Sequence, residues 1–230
     1  MPVRGLALAQ PILNSAAALE EYGPVLEDPT RRRLGPDPRL YSPVYDGRID
    51  PGEPPFPHVK IAHLQILLQL MQSIVKIRID QNDSTLNRTT DLGRLCQRIL
   101  DMPPSRKQPH PPYTNDHVYE TCRLTSVLLV RSLLTGKTWQ ALIHEDTMTS
   151  DFMHSLHASD PGSLWGKNIG LLYWVMLVWY CAAYGTAHYP YLHALTIRIQ
   201  FELTFEYDDW HGALLPMVAL KDLMPLGQIS

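Results

Sequence analysis

Between Lys167 and Arg198 the chain carries no charge: from Asn168 to Ile197 there is no Asp, Glu, Lys or Arg. A helix that is hydrophobic all round has two homes, a bilayer or the middle of a large core. Residues 169–187 alone number 19, close to the ~20 that a membrane-spanning helix needs. Three features favour the core. Only one such segment exists, and beyond Lys167 no basic cluster flanks it, although such clusters orient spanning helices. The polar atoms of its tyrosines and tryptophans would need partners in lipid. Other segments of the chain are strongly apolar themselves and need something to pack on. The reading is a central core helix over about residues 163–184, ended by Gly185, and no membrane span.

Other helices are predicted around this rod. Over residues 59–79, Leu64, Leu67, Leu68, Met71, Ile74 and Val75 recur at spacings of three and four, the helical period. Leu92, Leu95, Cys96 and Ile99 mark a weaker helix over 89–100. Prolines from Pro103 to Pro112 make the next stretch a loop. Asn115 or Asp116 is a candidate N-cap for a helix over 117–134, with Gly136 as its stop. Further helices are expected over 138–144, 149–157, 190–205 and 210–223, with a turn at Asp160-Pro161-Gly162. No run alternates with period two, so the fold class is all-α, a multi-helix globular bundle. Eleven of the twenty prolines precede Val59. Proline removes a backbone donor and disfavours helix in the residue before it. Residues 1–58 are therefore read as a Pro-rich extended arm with at most one short helix over 14–21, and 59–224 as the helical domain.

Composition narrows the function. Charged residues are 19% of the 230 and hydrophobic ones 45%, which excludes a wholly disordered chain or a coiled coil. Net charge is −3. The one dense basic run, Arg31–Arg33, follows Glu27 and Asp28 closely, so direct nucleic-acid binding is not expected. Cys96, Cys122 and Cys181 form no CxxC and no metal ladder; buried, reduced thiols of an intracellular protein are expected. The apolar run after Arg4 is too short for a signal peptide, and the sequons at Asn82 and Asn87 are taken as chance.

Catalytic motifs fail on spacing. Gly136-Lys137-Thr138 lacks the glycine a phosphate loop needs, because Arg131 stands there. His154 and His157 lie three apart without an HExxH, and no metal or cofactor is expected. Aromatics crowd the uncharged run, and Tyr173, Leu177, Tyr180 and Tyr184 fall on one helical face. With Trp174 they are the candidate ligand-binding residues, an apolar lining with a few polar tips. Plain core packing is the competing account. The alternative is an enzyme on a helical scaffold acting on an apolar metabolite. His188, His193 and His211, with Asp208 or Glu206, would then be the acid–base groups.

Two blocks carry a family resemblance. One is Tyr119-Glu120-Thr121-Cys122-Arg123-Leu124, running on through Ser126-Val127-Leu128-Leu129. The other is Leu164-Trp165 followed by Leu171-Leu172-Tyr173-Trp174-Val175-Met176-Leu177-Val178. Together they resemble the pattern of the fungal-specific transcription factor regulatory domain. That domain is the α-helical C-terminal region of fungal binuclear zinc cluster regulators, here of the subgroup with sterol-responsive factors. The resemblance covers about 59–223. It implies a nuclear regulator, active in metabolism, that senses an apolar metabolite or contacts a partner. The partner would be a full-length transcription factor or a second copy of the chain. The six-cysteine zinc cluster of such regulators has no counterpart in this chain. Where the family turns to small residues after its tryptophan, this chain has Trp179 and Tyr180.

Overall fold

A computed structural model describes residues 42–44, 61–79, 85–105, 115–145, 147–162, 165–206 and 220. The described residues are helical with no strand, so the all-α class holds. In chain order the helices are α1 (Ala62–Ile79), α2 (Thr85–Leu100), α3 (Asn115–Thr135), α4 (Trp139–Glu145), α5 (Met148–Ala158), α6 (Ile169–Ala182) and α7 (Tyr189–Glu206). A single 3₁₀ turn, Gly166–Asn168, leads into α6.

The apolar stripes land where their spacing puts them. All six apolar residues expected to line α1 are buried, as are Cys96 and Ile99 of α2. Leu92 and Leu95 pack against the core from partly exposed positions. Helix α2 begins four residues before the expected start. Helix α3 begins at Asn115, so Asn115 and Asp116 fall inside its first turn rather than before it. Gly136 does end α3. Its φ is +67° and its N–H donates to the Ser132 carbonyl at 2.8 Å, a left-handed terminator open to glycine.

The uncharged run is not one rod. It enters through the 3₁₀ turn, forms α6, breaks at residues 183–188 and continues into α7. Gly185, at φ +79°, makes the break possible. The 14 residues of α6 extend about 21 Å, short of the ~30 Å of a hydrocarbon core. Among the described residues no helix is long and apolar enough to cross a membrane.

Two helices form the centre. Helix α3 packs against α1, α2, α4, α5 and α6, while α6 packs against α3, α4 and α7. Every residue of α6 except Tyr180 is buried. Helix α3 is unusual in burying hydroxyls: Thr121, Thr125, Ser126 and Ser132 are almost fully enclosed. Each of the first three donates to the carbonyl four residues back, and Ser132 donates to the Lys137 carbonyl. Buried hydroxyls are tolerable on these terms, because none is left without a partner. Of the Pro-rich arm, Ser42, Pro43 and Val44 are described and all three are buried. The expected helices over 14–21 and 210–223 lie outside the described residues, apart from Leu220, which is helical and buried.

Candidate functional site

The structure divides the five candidate ligand-binding residues. Tyr173, Trp174 and Leu177 sit inside the core at 2% exposure or less. Tyr180 is half-buried, and Tyr184 is exposed. A stripe from Tyr173 to Tyr184 needs a helix that reaches residue 184, but α6 ends at Ala182. Tyr184 therefore leaves the stripe and lies in the corner before α7.

The inner part has a polar peculiarity. Four tryptophans are almost fully enclosed. Trp165 donates its indole N–H to Ser159 Oγ at 2.9 Å, and Trp179 donates to Thr125 Oγ1 at 3.0 Å. Trp179 also stacks on Phe152 of α5, centroids 3.8 Å apart. By contrast, the Trp174 and Trp139 indole N–H groups and the Tyr173 hydroxyl find no hydrogen-bond partner among the described residues. Burial drives the Tyr173 phenol well above the usual tyrosine range, so it stays protonated.

The outer part is a ring cluster at the α6–α7 corner. Tyr180, Tyr189 and His193 stack on one another with centroids 5.3–5.5 Å apart, and Tyr184 meets Tyr189 edge-on at 5.1 Å. The Tyr189 hydroxyl donates to the Tyr180 hydroxyl at 3.2 Å. Burial, with help from Tyr189, holds the Tyr180 phenol above its ordinary range. Tyr189 is an addition to the expected site, and its spacing of four from His193 places both on one helical face. Of the alternative acid–base groups, His193 meets aromatic rings, and His188 is exposed, its backbone N–H on Thr186 Oγ1. His211 and Asp208 lie outside the described residues, and Glu206 closes α7.

The block from Tyr119 to Arg123 also has a defined place. Tyr119 donates its hydroxyl to the Pro103 carbonyl at 2.7 Å, and the Ser105 N–H donates to Glu120 Oε2 at 2.8 Å. Arg123 grips both Glu120 oxygens, at 2.8 and 2.6 Å, with the two side chains only 13% and 11% exposed. Burial alone would lower the Arg123 guanidinium, but the Glu120 bond and charge more than offset it and leave it raised. These contacts pin the segment after α2 onto α3. The role is not evident from the sequence, whose one local signal is a Glu–Arg pair at i, i+3.

The three cysteines are free and buried. Burial pushes the Cys181 thiol up to about 12 and the Cys122 thiol higher still, which suppresses thiolate. The histidines of α5 face different neighbours. His154 meets His117 of α3 edge-on at 6.1 Å, and His157 meets Tyr191 of α7 at 4.9 Å. Among the described residues no three His, Cys, Asp or Glu side chains gather as a metal set. Comparison with protein-family models, curated proteins and solved structures gives no match.

Proposed function

We propose that this chain is a non-catalytic helical regulatory domain of the fungal transcription-factor type. It works in the nucleus and senses an apolar small molecule through the inner face of α6. The observation that carries the reading is the pair of enclosed, unpartnered polar groups on Tyr173 and Trp174. Leaving a buried donor unpaired costs about 1–3 kcal/mol. Neighbouring Trp165 and Trp179 avoid that cost, so the fold is able to satisfy a buried indole where nothing else is required of it. An apolar lining with a few convergent polar atoms suits a small molecule. The same stretch, Leu171–Val178, carries half of the family resemblance. A second reading, contact with a full-length regulator or a second copy, draws on Tyr191 and Ile197, exposed on α7. The enzyme reading gains nothing from His193, whose stacking neighbours are two phenols.

The test is a melting-temperature screen of the purified chain against uncharged apolar metabolites. A ligand at 100 times its Kd stabilises by about 2.7 kcal/mol, and the shift should grow with concentration. Tyr173→Phe should shrink it. The proposal fails if no compound shifts the melting temperature while the chain turns a substrate over in a His193-dependent manner.

A further inference from the structure

Five buried side-chain polar atoms find no partner among the described residues: the Trp139 and Trp174 indole N–H groups and the Ser42, Thr149 and Tyr173 hydroxyls, all of which can donate. An indole N–H donates and cannot accept, and two of the groups are indoles: Trp174 on α6 and Trp139 at the start of α4. Helix α4 packs on α6. The Tyr173 hydroxyl, next to Trp174 on α6, is held protonated and so can donate as well as accept. The described core holds buried hydroxyls but almost no charge. Among the described residues the one buried charged side chain is Glu120, already engaged by Arg123. A charged ligand would thus enter without a counter-ion, at a prohibitive desolvation cost.

From this donor excess we infer that the molecule sensed is uncharged and apolar and carries a carbonyl- or ether-type acceptor, and that Trp139 of α4 belongs to its site. The inference rests on the reading of α6 as a sensing face and adds the ligand's polarity and a second helix. A ligand that bridges α4 and α6 would tighten the packing of these two elements against the α3 centre.

The experiment uses the whole chain labelled with ¹⁵N, with its indole N–H signals assigned through bonds. The probes are decan-2-one, decane and decanoate. Decan-2-one should move the Trp139 and Trp174 signals downfield, toward hydrogen-bonded positions, and leave Trp165 and Trp179 in place. Decane and decanoate should move neither. A companion variant, Tyr173→Phe, deletes an unpaired hydroxyl with almost no change of volume. Without ligand it should raise the melting temperature by about 2–4 °C. Failure of decan-2-one to move the two indoles overturns the inference. If decane then binds as well as decan-2-one, the sensing of apolar molecules stands and only its acceptor requirement falls. If no probe binds, both indoles already sit at hydrogen-bonded positions and Tyr173→Phe melts lower, the sensing face itself is refuted.

Discussion

Glu120 and Arg123 are the tightest ionic contact in the described core. Breaking a buried pair from one side strands the other charge, a cost of about 3–5 kcal/mol. Glu120→Ala should therefore lower stability by that order in denaturant titration. Replacing both with apolar residues of similar size should cost much less. Tyr119 offers a separate handle. Burial pushes its phenol up to about 12, opposed by Arg123 and reinforced by Glu120, against about 10 in the unfolded chain. The folded state thus favours the protonated phenol. That contribution is fully present below pH 10 and is lost as the pH climbs through 12. Unfolding measured at pH 8 and pH 11.5 should show the loss, and Tyr119→Phe should remove this part of the slope at a cost of about 1 kcal/mol. None of this was legible in the sequence. The spacing of Glu120 and Arg123 says only that they share a helix face. Their burial depends on Pro103 and Ser105 folding back over α3, which is a tertiary event. The inward position of Tyr173 and Trp174 was legible, because an uncharged run has to hide. The absence of partners for their polar tips was not, since it depends on which hydroxyl each ring meets.

At the scale of elements, two glycines make opposite predictions. Gly136 holds φ +67°, and a methyl added there would meet no atom within 4 Å, so Gly136→Ala faces backbone strain alone and should cost about 1–2 kcal/mol. Gly93 sits within α2 with equally open space. Gly93→Ala should stabilise by about 1 kcal/mol through helix propensity. Thermal melts of the two variants should move in opposite directions. Helix identities were readable from periodicity, and the stop at Gly136 from residue chemistry. Boundaries drifted where those signals are mute: α2 starts early because its first turn has no apolar stripe, and α6 ends at Ala182, two residues before the expected end, although Gly185 does mark the corner. Absence of charge marks burial; it does not mark where a helix bends.

Across the whole molecule, α3 is enclosed on most sides, whereas the chief described support of α7 is α6. Local opening follows contact density. Amide hydrogen exchange should therefore be slowest in α3 and α6 and faster along α7, a ranking that equal rates in all three would refute. This arrangement could not be read in advance. Periodicity says that a face is buried without saying against which partner, and Thr121, Thr125 and Ser126 look like surface residues until their carbonyl partners are known. The enclosure of α6 also has an optical consequence. Trp139, Trp165, Trp174 and Trp179 all lie within 1% exposure, so light absorbed by these four is re-emitted from surroundings without water. Iodide or acrylamide dissolved outside should scarcely dim that glow, and any event that lets solvent reach the middle of the bundle will announce itself as a change of colour.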